Sequence, residues 1–313
     1  MTKVLSGRTL YGWILASLCG PLAYVAGKGS VAETFVAVGV CTLLTTMAIK
    51  AKYFDFAQVR WLAVAECAFL GIVASFVIRM AVNSWPDSGK NNFVPVALLA
   101  LSLIGAGKGR KAAAEVGTML MWILLLLFAA VIAGGIGNVK MERLELWSGP
   151  SAGYAYLLAL MPGIIYFIPR EEGSSRSLWL LPVFSALMGV LVIGTLSGPV
   201  AKSQDNPLYE YGKSLSLFGV VERYESFVSV ALTLSYYSLL SLIMSAANYL
   251  GSRVLGADNV MLVVAGTAVL FMQMKLEEAY PVAVGALVMW YTLPVILHKT
   301  SGRKWSKTDE EKG

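Results

Sequence analysis

The sequence is short of charge and has almost no histidine. Only 14% of its 313 residues are charged, and His298 is its one histidine. The three cysteines, Cys19, Cys41 and Cys67, lie inside apolar runs and lack the spacing of metal ligands. The sequence also lacks a recognisable phosphate-binding loop or nucleophile–base pair. It therefore predicts neither an enzyme nor a protein that holds a metal or another cofactor.

Apolar residues are what the sequence has in abundance. They make up 57% of the chain, which is too much for a soluble domain of this length. The net charge of +6 lies largely in loops and at the chain ends, as expected beside a membrane surface rather than on nucleic acid. The composition predicts an all-α integral membrane protein, with residues 1–313 as a single polytopic domain and 299–313 as a cytoplasmic tail.

The apolar runs predict about ten membrane-spanning helices, because each is close to the length that crosses a bilayer. The first is expected to be an uncleaved helix, since no small-residue cleavage site precedes Lys28. Most of the 25 lysines and arginines fall in the tails and loops on the same side of the membrane as the N-terminus. This excess places both termini in the cytoplasm and the chain in the cytoplasmic membrane. The predicted spans are 10–27, 31–49, 61–82, 93–107, 113–137, 151–169, 178–200, 224–250, 259–274 and 279–298.

Two of these spans are interrupted at similar depth. The first contains Cys19-Gly20-Pro21 and the sixth contains Met161-Pro162-Gly163. Proline has no N–H to donate, so the carbonyls of Ser17 and Leu158 lose their helical partners. In hydrocarbon such a freed group requires protein, water or a ligand. Each interruption is therefore either a packed kink or part of a binding site.

The interruptions also divide the chain into equal halves. Each opens a group of five spans, over 10–137 and over 151–298. An odd number of spans per half inverts the second half in the membrane, as in many secondary transporters. The expected architecture is a five-plus-five inverted repeat with a broken first helix in each half.

The two breaks are candidate walls of one ligand site. Helix N–H groups after a break carry partial positive charge and suit a carboxylate, whereas freed carbonyls suit an ammonium group or a cation. A tyrosine one turn beyond each break can cap the pocket, although tyrosine is also common in ordinary membrane packing. The candidate ligand residues are Ser17, Gly20, Pro21, Leu22 and Tyr24 at the first break, and Leu158, Pro162, Gly163, Ile164 and Tyr166 at the second.

The eighth span carries a continuous polar stripe with helical period. Such a face is expected against other helices or water rather than lipid. It is either a small-residue packing surface or a hydroxyl-rich wall that adds Ser229, Thr233 and Tyr237 to the ligand site. The stripe consists of Glu222, Ser226, Ser229, Thr233, Tyr237, Ser241, Ser245, Asn248 and Ser252.

Glu66 is an ionisable residue inside the third span. Carboxylates within a membrane usually have a function. Glu66 is a candidate carrier of a coupling proton, and the alternative is an ion pair with a loop lysine or arginine at the cytoplasmic side.

The stretch SLSLFGVVERYESFVSVALTLSYYSLLSL resembles a region of the spore germination permeases. These are the membrane B subunits of nutrient germinant receptors, in which an E-R-x-E pattern leads into a late membrane helix. Glu222, Arg223 and Glu225 match that pattern, and Pro207 also fits. The stretch AGKGRKAAAEV is similar to the start of the family's fifth helix.

The germination permeases are similar to the amino acid–polyamine–cation permeases. The resemblance implies the five-plus-five fold, an amino acid or similar small nutrient as ligand, other germinant receptor subunits as partners, and the cytoplasmic or inner spore membrane as location. It favours a receptor subunit that binds its nutrient between the two broken helices. A proton- or cation-coupled amino-acid transporter and a non-transporting assembly or scaffold protein are the alternatives.

Replacement of Gly163 by leucine tests the proposed second break. The larger side chain restricts the backbone and fills the break, so Gly163→Leu is expected to abolish ligand binding while the protein remains folded in the membrane. Binding of labelled amino acids to the purified variant measures the effect. Unchanged affinity would contradict the placement of the ligand at this break.

Overall fold

The computed structural model describes residues 7–50, 60–85, 93–144, 175–215, 224–252, 256, 259–271, 279–293 and 296. Within these ranges the secondary structure is helical, and no strand is present. The helices are α1 (Gly7–Ala26), α2 (Val31–Lys50), α3 (Arg60–Asn83), α4 (Phe93–Gly107), α5 (Arg110–Gly135), α6 (Leu180–Leu196), α7 (Gly198–Ser203), α8 (Pro207–Ser214), α9 (Glu225–Leu250), α10 (Val260–Leu270) and α11 (Ala279–Leu287). A π-helical turn, Val288–Thr292, continues α11.

Five of the helices are long and apolar enough to cross a membrane, as the sequence predicts for a helical membrane protein. They cover Thr9–Ala26, Trp61–Asn83, Arg110–Asn138, Ser177–Leu196 and Glu225–Leu250. Shorter apolar helices lie at Val31–Met47, Phe93–Gly107, Val260–Leu270 and Pro281–Trp290. The sixth predicted span, 151–169, lies outside the described residues.

Local sequence signals set where several helices begin. At the start of α2, Ser30 and Glu33 form a capping box: the Ser30 N–H donates to Glu33 Oε2 at 3.0 Å, and the Glu33 N–H to Ser30 Oγ at 3.4 Å. Asn206 caps α8 by accepting from the Tyr209 N–H at 3.1 Å, and Pro207 follows it where no N–H is required. These polar caps satisfy backbone donors at helix ends.

The helices α1 and α9 form the centre of the bundle. In the spanning part of α1, 83% of the residues are buried, compared with 22% in α5. The first helix packs against α5, α6 and α9, while α9 also packs against α3, α4, α8 and α10. The outer face of α5 exposes apolar side chains, including Met119, Trp122 and Leu126, as expected for a helix bordered by lipid.

Glycines allow the closest helix contacts. A Cβ atom on Gly117 would lie 2.0 Å from Cδ1 of Trp13, so α5 accepts this indole from α1 only because residue 117 has no side chain. A Cβ atom on Gly135 would lie 1.5 Å from the hydroxyl oxygen of Tyr211. The absence of a side chain at Gly135 therefore allows Tyr211 of α8 to pack against the end of α5. Small residues at such contacts are the usual means of packing helices in membranes.

Contacts between helix ends establish which ends lie together. Tyr24 near the end of α1 contacts Asn83 at the end of α3, and Ser229 near the start of α9 contacts the Ser84 carbonyl. A Cβ atom on Gly189 of α6 would lie 3.5 Å from the Ala26 carbonyl, so the middle of α6 packs beside the end of α1. We call this the Tyr24 end of the bundle.

The expectation of a broken first helix is wrong for α1. The helix runs without interruption from Gly7 to Ala26, with Pro21 inside it. The hydroxyl of Ser235 on α9 lies 3.3 Å from the Ser17 carbonyl, the group to which Pro21 cannot donate. The turn around Pro21 is packed against α9, and its role in ligand binding stays a prediction.

Replacement of Gly117 by alanine is expected to destabilise the bundle, since its methyl group would overlap Trp13 unless α1 and α5 separate. Overpacking of this kind costs about 1–3 kcal/mol. The control is Gly39→Ala in α2, because no atom lies within 4 Å of the added Cβ and alanine favours the helix. Thermal unfolding in detergent should show a lower midpoint for Gly117→Ala only; equal midpoints would contradict the described α1–α5 contact.

Candidate functional site

Ser235 of α9 completes the backbone hydrogen bonding of α1 beside Pro21. Its Oγ accepts from the Gly20 N–H at 2.7 Å and donates to the Ala16 carbonyl at 2.6 Å. The Ser17 carbonyl, to which Pro21 cannot donate, lies 3.3 Å from the same hydroxyl. One side-chain hydroxyl is thus inserted into the hydrogen-bond ladder of α1.

A second hydroxyl contact lies beside the first. Ser17 Oγ donates to the Trp13 carbonyl at 2.8 Å and lies 3.0 Å from Ser238 Oγ. A Cβ atom on Gly20 would lie 2.6 Å from the Cβ of Ser235, so glycine is what permits this approach. We call Ser17, Gly20, Ser235 and Ser238 the α1–α9 joint.

The joint corrects the predicted role of the first break. Gly20, Pro21 and Leu22 lie within a continuous helix, and Leu22 is fully buried. Their backbone is not a helix N-terminus open to a carboxylate. The Ser17 carbonyl, which was predicted to accept a ligand ammonium group or a cation, lies 3.3 Å from the Ser235 hydroxyl, and the Gly20 N–H donates to the same hydroxyl.

Tyr24 belongs to a polar network at the Tyr24 end. Its hydroxyl donates to the Asp205 carbonyl at 2.6 Å and accepts from Asn83 Nδ2 at 3.3 Å. Asn206 Nδ2 donates to the Asn83 carbonyl at 3.3 Å and to Ser84 Oγ at 3.4 Å. The segment before α8 is therefore bound to the ends of α1 and α3.

The same network includes two residues of the polar stripe. Ser229 Oγ donates to the Ser84 carbonyl at 2.7 Å. Thr233 Oγ1 accepts from Trp85 Nε1 at 2.8 Å and donates to the Ser229 carbonyl at 2.7 Å. The structure thus brings Tyr24, Ser229 and Thr233 together. Tyr237 is directed elsewhere, since its hydroxyl would lie 2.9 Å from a Cβ atom on Gly105 of α4.

Lys28 adds positive charge beside this network. Its Nζ donates to the Gln204 carbonyl, and the Asp205 carboxylate is close enough to affect it. Partial burial lowers the pKa of Lys28 below its ordinary value, and Asp205 opposes that shift. The ammonium group is therefore held between the loop after α1 and the segment before α8.

Glu66 is fully buried in α3, and its Oε1 accepts from Trp290 Nε1 at 2.6 Å. Seventeen residues separate Glu66 from Asn83, or about 26 Å at 1.5 Å per residue. Glu66 is consequently far from the polar network at the Tyr24 end.

The other predicted site residues divide between the described and undescribed parts of the chain. Glu225 begins α9, where a carboxylate favourably meets the partial positive charge of the helix N-terminus. Its companions Glu222 and Arg223 lie outside the described residues, as do the second-break residues Leu158, Pro162, Gly163, Ile164 and Tyr166.

Sequence reasoning missed several members of the site. The Asn206-Pro207 pair carries the signal of a capped helix start. Ser235 and Ser238 are three residues apart and so share a helix face next to the predicted stripe. The missed residues are Asn83, Ser84, Trp85, Asp205, Asn206, Ser235, Ser238 and Trp290.

In the described part of the chain no group of histidine, cysteine and acidic side chains is arranged to hold a metal ion. The sequence matches no protein-family model, and no curated protein is significantly similar to it.

Loss of the Ser235 hydroxyl is expected to weaken the α1–α9 joint. Ser235→Ala removes the hydroxyl beside the buried Ser17 carbonyl, to which Pro21 cannot donate, and an unsatisfied buried polar group costs about 1–3 kcal/mol. Ser226→Ala on the same helix is the control, since Ser226 is exposed. Unfolding in detergent should show a loss of stability for Ser235→Ala alone, and equal stability of the two variants would contradict the described joint.

Proposed function

We propose that the chain is a permease-like membrane subunit of a spore nutrient-germinant receptor. It binds a small nutrient such as an amino acid, with the α1–α9 joint as one wall of the site and the interrupted segment 154–169 as the other. The proposal includes ten spans in two inverted halves, with both termini in the cytoplasm. Other receptor subunits are its proposed partners.

The proposal rests on one observation: a side-chain hydroxyl of another helix, and not only the backbone, makes hydrogen bonds to the backbone of α1 near Pro21. A backbone donor at Gly20 and a backbone acceptor at Ala16 are both held by the side chain of Ser235. A rotation of one hydroxyl, or a small displacement of α9, releases these groups and also the Ser17 carbonyl, which has no helical donor because of Pro21. The released N–H suits a ligand carboxylate, and the released carbonyls suit a ligand ammonium group.

The hydrogen-bond exchange makes ligand binding energetically reasonable. Each bond to Ser235 is replaced by a bond to a charged ligand group, and bonds to charged groups are the stronger kind. A ligand that binds only the opened joint shifts the equilibrium towards it. Such a shift alters the packing of α9, whose N-terminus adjoins the germination-like motif that ends at Glu225.

The Tyr24 network supports the same site from one end. Tyr24 lies four residues beyond Gly20, or about 6 Å along the helix. Its bonds to Asn83 and Asp205 join α1 to α3 and to the segment before α8. A nutrient entering from this end would have to part these bonds, so the network is suited to couple ligand entry to a change in helix packing.

A proton-coupled amino-acid transporter is the second candidate, and the burial of Glu66 favours it. A carboxyl group inside a membrane helix can gain and lose a proton as transport proceeds. The complete hydrogen bonding of the α1–α9 joint equally suits a scaffold protein, which would bind no nutrient.

Measurements in liposomes distinguish these functions. For the receptor we expect saturable binding of labelled amino acids and no accumulation driven by a pH gradient, with binding retained in Glu66→Gln. Gradient-driven uptake that Glu66→Gln abolishes would instead establish the transporter. Absence of binding across the common amino acids, in protein shown to be folded by size-exclusion chromatography, would contradict both and favour the scaffold.

A further inference from the structure

The last described helix contains a local irregularity opposite Glu66. A π-helical turn, Val288–Thr292, follows α11, and Thr292 Oγ1 donates to the Leu287 carbonyl five residues earlier at 3.2 Å. Such a turn accommodates an extra residue and changes the direction of the side chains it carries. The residue at its centre is Trp290.

Trp290 is held from two sides. Its indole Nε1 donates to Glu66 Oε1 at 2.6 Å, and the ring of Phe69 meets it edge-on with centroids 4.9 Å apart. A Cβ atom on Gly285 would lie 3.3 Å from Phe69, so the absence of a side chain there gives the Phe69 ring room. Trp290 is itself 3% exposed, which leaves the indole little freedom to turn away from the carboxyl group.

We propose that Trp290 is a positioning residue for Glu66. The π turn aims the indole N–H at the carboxyl group, and this bond fixes the orientation of Glu66 and favours its ionised form. The assignment adds a control on the candidate coupling residue of the transporter alternative, and it concerns the Glu66–Trp290 pair whether or not the protein transports anything.

The direction of the effect follows from hydrogen-bond chemistry. An indole N–H can donate and cannot accept. A buried carboxylate accepts such a bond better than a neutral carboxyl group does, so the donor stabilises the charged form. Removal of the donor while the site remains buried should increase the fraction of Glu66 that carries a proton.

In the described part of the chain, the titratable residues near this pair come from α3 and the helices packed against it. Cys67, the next residue of α3, interacts electrostatically with Glu66. Several helices pack against α3. Two of them, α4 and α10, contain no titratable residue. The remaining titratable residues of α3 and its packed helices are Arg60 and Arg79 of α3, Tyr280 and Tyr291 of α11 and its π turn, Arg8, Tyr11, Cys19 and Tyr24 of α1, and Glu225, Tyr236, Tyr237 and Tyr249 of α9.

Carbodiimide labelling tests the assignment without a ligand, because an apolar carbodiimide reacts with a protonated carboxyl group buried in a membrane protein. Full-length protein in liposomes is treated with dicyclohexylcarbodiimide from pH 5 to pH 9, and labelling of Glu66 is measured by mass spectrometry. Trp290→Phe should move the pH of half-labelling upward by about 1 unit, the size expected for one lost hydrogen bond to a charged group. Trp290→His, which retains an N–H donor, should restore part of the wild-type profile.

Two further variants keep the test decisive. Trp122→Phe removes an indole from the exposed face of α5 and should leave the profile unchanged. If Trp290→Phe fails to fold, Phe69→Leu loosens the indole without removing it and should shift the profile in the same direction by a smaller amount. An unchanged profile in a folded Trp290→Phe protein would overturn the assignment, whatever the outcome of the nutrient-binding measurements.

Discussion

A single serine hydroxyl allows the central helix of this protein to contain a proline. Pro21 removes a backbone donor from α1, and a proline inside a helix costs about 3 kcal/mol or more. The Ser17 carbonyl, which Pro21 leaves without a helical donor, lies 3.3 Å from the Ser235 hydroxyl, and the same hydroxyl bonds the Gly20 N–H and the Ala16 carbonyl. Most of the other described helices pack around α1 and α9. The distance between these two helices at the joint therefore affects the packing at the centre of the bundle. The glycine at position 20 is what makes the approach possible.

Two groups of polar contacts join helices at separate places in the described bundle. One is the α1–α9 joint and the Tyr24 network beyond it, where hydroxyl and amide groups join α1, α3, α9 and the segment before α8. The other is the buried pair of Glu66 and Trp290, about 26 Å away along α3. A protein that senses or moves a nutrient requires a ligand site and a response at a distance. The helix α3 connects the two places, since it ends in the network and holds Glu66 near its other end.

The helices were predictable because their signals are local. Apolar runs and their polar boundaries predict the positions of α2, α3 and α4 within one or two residues, and the spacing on α9 predicts that Ser229 and Thr233 share a face. The continuity of α1 was not predictable, since the hydroxyl that completes it comes from a residue 215 positions away. The local sequence around a backbone N–H or carbonyl is the same whether or not a distant side chain forms a hydrogen bond with it. The partner of Glu66 was missed for the same reason, because Trp290 lies 224 positions from it.

The central claim is that the α1–α9 joint opens to admit a nutrient, and a reversible crosslink across it is the most direct test. Ser17 Oγ and Ser238 Oγ lie 3.0 Å apart, so cysteines at these two positions are close enough for a disulfide to be attempted. In a variant with Cys19, Cys41 and Cys67 replaced by alanine, binding of labelled amino acids is compared before and after oxidation, with the crosslink verified by mass spectrometry. The account predicts saturable binding in the reduced protein, loss of binding on oxidation and recovery on reduction. Equal binding in the reduced and fully crosslinked proteins would contradict it.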